Sequence, residues 1–489
     1  MKWCGPWLLV AVLVGAGCEL RRPADQVETA PDAVAPDAER LGKAAEQAWE
    51  KGRSEQARTD PNARNASRVP VGELVLGTWL PAGLDRYRFG AEDQRILAES
   101  GLNQVEWLQR AMLDGETAEA RVMAFCNARG LQMPVFYEPR GYSPYDKLQN
   151  WAKRSPLGEG FADSVAQRIR ALKTQWDGAA GLQGYLVGHE DYDQQYYQAL
   201  EGVVAALGRI DSLRPVLTVG RIDHYEDRAA FAAAFFQERG QPNIFQHEHY
   251  VFGGNVPVRG EGLQQKLSFL LTGYDEVAHL LKGRWGRWHA IVQVQSEVRG
   301  EKVHYRKPTA AEISLQVGLA LSRGAAGIVY FLYSSGVEKY RNKAGEWVQT
   351  RYYEGLVDSA GVPTASYAAV RRINGRLRAL SPVLKSLYFY GATGAAERRE
   401  NELLSWADSD LEFGLFGDEK RPTHLLVVNR RTWERRTVAL GVKGDEVRDA
   451  VTGEVLVVDG GAVVVELAAG GFRLLAVGGN DKTRAAEGE

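Results

Sequence analysis

The sequence has few cysteines and no excess of charge of either sign. Cys4, Cys18 and Cys126 are the cysteines among its 489 residues. Two lie near the N-terminus and the third lies in a stretch typical of a helix, so a disulfide framework is not indicated. The chain has 60 Lys and Arg residues against 62 Asp and Glu residues. A nucleic-acid partner is therefore not expected, because nucleic-acid-binding domains carry a strongly basic surface.

The sequence also lacks an apolar run long enough to cross a bilayer as a helix. Its N-terminal run, Trp7–Val14, is short and follows a basic start at Lys2, which is typical of a secretory signal. Small residues then lead to Cys18 and resemble a bacterial lipobox, although Gly15 stands where leucine is usual. We predict a lipoprotein-type signal peptide over residues 1–18, lipidation of Cys18, and a membrane anchor at the bacterial cell envelope. A plain secretory signal cut nearby is the alternative.

Large apolar residues are scarce between residues 19 and 70, where Ala, Pro, Asp, Glu and Arg dominate. Such a segment buries too little apolar surface to fold alone, so we predict a disordered tether. Residues 479–489 are predicted to form a polar tail.

Between residues 71 and 385, short apolar segments alternate with amphipathic ones. Each apolar segment ends in polar or aromatic residues, as buried parallel strands do where the chain leaves the core. Eight such units predict a closed (β/α)8 TIM barrel, an α/β fold whose chemistry lies at the carboxyl ends of its strands. The predicted strands are Glu73–Trp79, Gln104–Leu108, Gln132–Tyr137, Gly184–Gly188, Pro215–Val219, Ile244–His247, His289–Val294 and Gly327–Leu332. The predicted helices include Ala91–Ser100, Thr117–Arg129, Phe161–Trp176, Gln194–Ile210, Glu261–Leu281, Thr309–Ser322 and Thr364–Leu387.

The pattern changes after residue 385. Short alternating runs are separated by turn signals such as Asp459–Gly461. This arrangement predicts antiparallel strands, most simply a small all-β sandwich over residues 386–478. We interpret Gly336–Gly361, which precedes the last helix of the barrel, as an insertion.

Several stretches resemble bacterial glycoside hydrolases that combine a barrel with a C-terminal β-sandwich. Gly101–Trp107 is similar to the second strand of such barrels, and Gly184–Glu190 is similar to the fourth, which commonly ends in Asp-Glu-Pro or Asn-Glu-Pro. Pro308–Phe331 is similar to their seventh helix and eighth strand. The resemblance covers most of residues 71–477. It implies a carbohydrate substrate and no cofactor.

The resemblance also implies two carboxyl groups that flank the cleaved bond. Glu190 falls where the family's general acid/base stands, with His189 in place of the family's Asn or Asp. Glu297 lies near the end of the seventh strand, where the family has its nucleophile, and Glu248 at the sixth strand end is the other candidate. Carboxyl groups roughly 5 Å apart give retention of configuration, which is the outcome we predict. Glu106 is interpreted as a binding or structural group.

Aromatic and histidine side chains also gather at the predicted strand ends, where they can stack on sugar rings or bind hydroxyl groups. The predicted substrate-binding residues are His189, Trp79, Trp107, Tyr137, His247, His249, Tyr250 and Tyr333. His247 and His249 have a second interpretation, because two histidines on one face of a strand can bind zinc.

Three hypotheses follow from the sequence. The first is a secreted glycoside hydrolase that uses Glu190 with Glu297 or Glu248 and binds no metal. The second is a barrel protein that binds carbohydrate without catalysis. The third is a metal-dependent barrel hydrolase that uses His247 and His249.

Overall fold

The computed structural model describes residues 67–80, 90–107, 112–113, 116–136, 167, 169–190, 192, 194–238, 240–341, 347–394 and 401–478. The predicted signal peptide, nearly all of the predicted tether and the polar tail lie outside these ranges, as does Tyr137. Trp107 ends a described strand, but its side chain is not described. Within the described ranges, no helix has the length and apolar character needed to cross a membrane.

Eight strands form one parallel sheet. In chain order they are β1 (Val75–Leu80), β2 (Gln104–Trp107), β3 (Met133–Phe136), β4 (Leu182–His189), β5 (Val216–Gly220), β6 (Asn243–Glu248), β7 (Gly286–Gln293) and β8 (Gly327–Phe331). Their order in the sheet is β2, β1, β8, β7, β6, β5, β4, β3. Each predicted strand overlaps the observed one.

The two outer strands, β2 and β3, meet and close the sheet. The Val105 N–H donates to the Gln132 carbonyl at 2.9 Å, and the Gln132 N–H donates to the Asn103 carbonyl at 2.8 Å. This bridge between the outer strands nearly closes the eight strands into a ring. The prediction of a TIM barrel is confirmed.

Helices connect the strands and cover the outside of the barrel. They include α1 (Ala91–Glu99), α2 (Ala118–Arg129), α3 (Gln194–Ile210), α4 (Arg228–Phe235), α5 (Glu261–Leu281), α6 (Ala310–Leu321) and α7 (Ala365–Leu384). The sequence analysis does not predict α4, whose alanine-rich pattern has little amphipathic character. Its N-terminus is capped by Asp227, which accepts a hydrogen bond from the Ala230 N–H at 2.9 Å.

Alternation along each strand decides which side chains enter the barrel. The barrel interior holds an apolar cluster of Trp79, Leu186, Leu217, Val219, Ile244, Ile291, Val329 and Leu332. On β6, Ile244 belongs to this cluster, so Gln246 and Glu248 also point inward because strand side chains alternate. Phe245 and His247 point outward, toward the helices. This alternation places Glu248 at the mouth of the barrel and turns His247, the histidine of β6, away from it.

A second, antiparallel sheet lies between β7 and α7 along the chain. Its strands are Ser296–Arg299, Lys302–Tyr305, Gly336–Arg341 and Trp347–Glu354. We call it the added sheet. Residues 336–361, interpreted from the sequence as an insertion, contain two of these strands, Gly336–Arg341 and Trp347–Glu354.

Two antiparallel sheets follow α7, one of six strands and one of four. Their facing sides enclose a second apolar core, which includes Leu411, Phe413, Leu425, Val438 and Val463. The prediction of an antiparallel β domain after the barrel is confirmed. The pattern does not reveal the short strand Glu446–Asp449, which has two buried and two exposed residues.

The end of the predicted tether is bound to the folded body. The Ser67 N–H donates to the Phe389 carbonyl at 2.6 Å, and the Phe389 N–H donates to Ser67 Oγ at 3.1 Å. Val69 is buried. The tether prediction is therefore corrected over residues 67–70, where backbone pairing orders a segment whose composition is polar.

Candidate active site

Two glutamates and a histidine come together at the mouth of the barrel. Glu190 follows the last residue of β4, His189, and Glu248 is the last residue of β6. One nitrogen of His189 and one carboxyl oxygen of each glutamate lie within 4.8 Å of one another. The two strand ends thus bring together two of the carboxyl groups that the sequence proposes as catalytic.

The backbone at Glu190 has an uncommon conformation. Its φ is 55°, in the left-handed region, and its N–H donates to the Val219 carbonyl at 2.8 Å. For a residue other than glycine this conformation costs about 1–2 kcal/mol. Such costs are found where the surrounding structure fixes a residue for its function.

Glu248 is buried beside the other carboxyl group, with 8% of its surface exposed. Burial holds the pKa of Glu248 well above its ordinary value, and the negative charge of Glu190 raises it further. The positive charge of Arg221 and a hydrogen bond with Tyr250 work in the opposite direction. Of the pair, Glu248 is therefore the carboxyl group whose protonated form the surroundings favour.

Aromatic rings surround the acid pair on one side. The ring of Trp79 lies 5.4 Å from that of His189 and 6.0 Å from that of Phe331. Phe331 in turn stacks on Tyr250 at 5.3 Å and meets Tyr353 edge-on at 6.2 Å. The structure places Trp79 and Tyr250 where the sequence predicts binding groups. The sequence-based prediction did not include Phe331, although its position at the end of β8 indicates a site residue.

Glu297 lies in the added sheet and not at the end of β7. The chain leaves β7 at Gln293 and pairs again in Ser296–Arg299. There Glu297 accepts a hydrogen bond from Arg299 Nε at 2.5 Å and lies 3.7 Å from Arg351 Nε. The structure pairs Glu297 with cations, whereas it pairs Glu190 with Glu248.

His247 points away from the mouth of the barrel. A Cβ atom on Gly273 of α5 would lie 2.8 Å from His247 Nε2, and His247 Nδ1 accepts from the Ile222 N–H at 3.3 Å. Burial lowers the pKa of His247 to about 3 and that of His249 to about 4, so both rings are neutral. The predicted sugar contact through His247 is corrected, because its strand parity turns the ring toward α5.

The zinc hypothesis for His247 and His249 has no third ligand among the described residues. Their ring centroids are 6.2 Å apart and the rings are nearly perpendicular. The single group of three or more metal-type ligands found in the described ranges is His189, Glu190 and Glu248. Among the described residues, the candidate metal ligands are therefore His189 and the acid pair, and not His247 and His249.

Tyr333 is fully buried, and its hydroxyl donates to the Asp93 carbonyl at 3.3 Å. A side chain without exposed surface cannot contact a sugar, so the prediction for Tyr333 is also corrected. Tyr137 and the side chain of Trp107 lie outside the described part of the chain, and their predicted roles stay predictions.

A third carboxyl group lies deeper in the barrel. Glu106 has no exposed surface, and its Oε1 accepts from Gln104 Nε2 at 2.6 Å and from Gln246 Nε2 at 2.7 Å. Burial raises the pKa of Glu106 to about 7, while hydrogen bonding with Gln246, Gln104 and Trp79 limits the rise. No arginine or lysine is paired with Glu106 among the described residues. The sequence predicts a binding or a structural role for Glu106, and its complete burial favours the structural role.

The chain was compared with known proteins by sequence and by structure. No protein-family model matches the sequence, and no curated protein matches it. Among solved structures, a catalytic mutant of Gan42B, a GH42 beta-galactosidase from G. stearothermophilus, has 9% identity and a TM-score of 0.56, over 84% of this chain and 99% of that one. A beta-galactosidase from Bacillus circulans sp. alkalophilus has 7% identity and a TM-score of 0.56, over 85% of this chain and 100% of that one.

These likenesses extend over the barrel and the β domain together. At this level of identity they establish the fold. The protein has the glycoside-hydrolase-like fold of a TIM barrel followed by antiparallel β sheets.

Proposed function

We propose that this protein hydrolyses O-glycosidic bonds with Glu190 and Glu248, and that it retains the configuration of the sugar. The observation that carries the proposal is the close approach of the two carboxyl groups, because one oxygen of Glu190 lies within 4.8 Å of one oxygen of Glu248. Retaining glycosidases hold their carboxyl groups roughly 5 Å apart, and inverting ones leave roughly 6.5–9.5 Å for a water molecule.

The electrostatics of the pair suggest a division of roles. Glu248 carries the proton, because burial and the charge of Glu190 raise its pKa. It donates that proton to the leaving oxygen, and the carboxylate of Glu190 attacks the anomeric carbon. Glu248 then removes a proton from the water that hydrolyses the glycosyl–Glu190 ester. This assignment exchanges the roles that the resemblance implies for Glu190.

Beta-galactosides are the first substrates to test, because the two structural neighbours are described as beta-galactosidases. Phe331 and Tyr250 offer partly exposed ring faces beside the acid pair. An aromatic face suits the apolar C–H face of a sugar ring, while the carboxyl groups bind its hydroxyls.

The test is turnover of aryl beta-galactosides and of a wider panel of aryl glycosides. We expect Glu190→Gln and Glu248→Gln each to lower kcat by roughly 10³-fold, within the range typical of positioned acid–base groups. Glu201→Gln, an exposed position on α3, is the matched control and should leave kcat unchanged. Product anomers followed by NMR report retention directly.

Glu297→Gln separates this proposal from the pairing of Glu190 with Glu297. If Glu248 is the partner, Glu297→Gln keeps most of the activity. A collapse of kcat in Glu297→Gln, with Glu248→Gln still active, would transfer the role to Glu297. Binding of a sugar without turnover in the unmutated protein would favour the non-catalytic hypothesis.

We also propose that the enzyme acts at the bacterial cell envelope through a lipid on Cys18. The support is the short apolar run followed by small residues before Cys18. Labelling with a radioactive fatty acid in a bacterial host tests this, and Cys18→Ser should abolish the label while Cys4→Ser keeps it.

A further inference from the structure

We propose that His189, Glu190 and Glu248 form a binding site for a zinc-type divalent cation. This inference concerns the same side chains as the proposed hydrolysis but does not depend on it, because it can be tested without a substrate.

The ligand atoms are already gathered near the spacing that such a site needs. One nitrogen of His189 and one oxygen each of Glu190 and Glu248 lie within 4.8 Å of one another. In a tetrahedral zinc site with metal–ligand bonds of about 2.1 Å, neighbouring ligand atoms are about 3.4 Å apart. Small side-chain rotations of His189 and Glu190, which are only partly buried, close the remaining gap.

A second observation points to a ligand at this place. Glu248 is more than nine-tenths buried, and its Oε1 has no hydrogen-bond partner among the described residues. A buried polar atom without a partner is costly, and native structures rarely keep one without a reason. A bound cation would satisfy Glu248, replace its proton and neutralise the negative charge of both carboxylates.

Within the part of the chain that the structure describes, no side chain supplies that cation as a direct partner of the acid pair. Arg221 is close enough to influence Glu248, but its guanidinium is paired with Asp223 at 2.5 Å. Glu248 is hydrogen-bonded to Glu190 and to the hydroxyl of Tyr250, and neither group is a cation. A mobile divalent ion is therefore the group that the geometry best accommodates.

The donor set selects the class of metal. An imidazole nitrogen suits zinc and similar transition metals, carboxylate oxygens are also zinc ligands, and three protein ligands leave a position open. Magnesium prefers six oxygen ligands in octahedral geometry, and calcium takes six to eight. We therefore expect zinc or cobalt to bind and magnesium not to bind.

The consequence for the proposed activity is inhibition. A cation held by both carboxylates competes with the proton that Glu248 donates and blocks the attack of Glu190. Zinc would act as a reversible inhibitor of a hydrolase that needs no metal.

The experiment uses the full chain stripped of metal and titrated with zinc chloride and with magnesium chloride in a calorimeter. We expect one zinc site per chain and no magnesium site. His189→Ala and Glu248→Gln should each weaken zinc binding at least roughly tenfold, the lower limit seen even for groups that only support a ligand. His279→Ala removes an exposed imidazole from α5 and is the matched control, with unchanged affinity.

Cobalt chloride gives a second readout, because cobalt bound by nitrogen and oxygen ligands in a tetrahedral site absorbs visible light strongly. His189→Gln replaces His189→Ala if the smaller side chain prevents folding, which circular dichroism reports. Absence of zinc binding, equal binding by His189→Ala, or several weak sites would overturn the proposal.

Hydrolysis is assayed in parallel with and without a chelator, so that the two proposals fail separately. Activity that resists the chelator and falls with added zinc supports both. Zinc binding by a chain that turns over no glycoside supports the metal site alone. Activity that requires zinc supports the metal site and contradicts the two-carboxylate mechanism.

Discussion

Two buried glutamates in this molecule have opposite surroundings. Glu248, at the mouth of the barrel, faces the carboxyl group of Glu190. Glu412, between the barrel and the β domain, is 2% exposed and accepts from Arg323 Nη2 at 2.7 Å and from Arg430 Nη1 at 2.8 Å. A buried acid with two guanidinium partners is a structural group. A buried acid that faces another acid is held there at a cost in stability, an arrangement that is common at functional sites.

The interface around Glu412 is a complete network of charges. Arg323 is also bonded to Asp275 of α5 at 3.0 Å. Burial acts to lower the pKa of Arg323, and the charges of Glu412 and Asp275 outweigh it and raise that pKa. The network therefore favours the charged form of Arg323 and joins α5 to the β domain.

The largest change is expected from breaking the network at the interface. Glu412→Ala removes a carboxylate partner from the buried Arg323 and the partly buried Arg430, and removal of one partner of a buried pair costs about 3–5 kcal/mol. Denaturant unfolding should show this loss, while the activity of the folded fraction should stay near that of the unmutated protein. Glu434→Ala, in an exposed pair with Arg431, should cost less than about 1 kcal/mol. Equal losses in the two variants would contradict the structural role of Glu412.

The second prediction uses Glu106, a buried acid without a cationic partner among the described residues. Its pKa in the folded protein is raised to about 7 from 4.5, so its protonated form stabilises the fold below about pH 4.5. That stabilisation is lost as the pH rises through about 7, and the total is on the order of 3 kcal/mol. Glu106→Gln should flatten the dependence of the unfolding free energy on pH between 4.5 and 7, and Glu201→Gln should leave it unchanged. An unchanged slope in Glu106→Gln would show that Glu106 does not titrate in this range.

The smallest change concerns the backbone of Glu190. Because its φ is 55°, glycine should be more stable there than alanine by about 1 kcal/mol. The matched control is Glu201 within α3, where glycine should be less stable than alanine by about 1 kcal/mol. Thermal unfolding of the four variants measures both differences. A lower stability of Glu190→Gly than of Glu190→Ala would mean that the conformation is not a source of strain.

The barrel was predictable because each of its strands is a short apolar run that ends in polar residues. The strand ends at Glu190 and Glu248 were predictable for the same reason. The choice of Glu248 over Glu297 as the neighbour of Glu190 was not predictable, because it depends on which strand ends approach each other across the mouth. The irregular register between Leu186 and Gly188 shifts the end of β4, and no local pattern marks that shift.

Two predicted site residues, His247 and Glu297, do not lie where the sequence pattern suggests. The spacing of His247 and His249 indicates a common face but does not say which face enters the barrel. Only the neighbouring Ile244 and Glu248, once placed inward, turn His247 outward. Glu297 does not lie at the end of β7, because the chain after β7 pairs with a strand of the added sheet that is distant in sequence.

The pairing of Ser67 with Phe389 also has a consequence for the order in which the protein is made. The segment that leads into β1 leaves the ribosome early, and its partners Leu387 and Phe389 emerge more than half a chain later. The Val71 N–H donates to the Leu387 carbonyl at 2.8 Å, so this hydrogen bond also forms only after Leu387 has been synthesised. The N-terminal flank of the barrel is therefore completed only when synthesis reaches the β domain, and a chain cut after residue 385 lacks those partners.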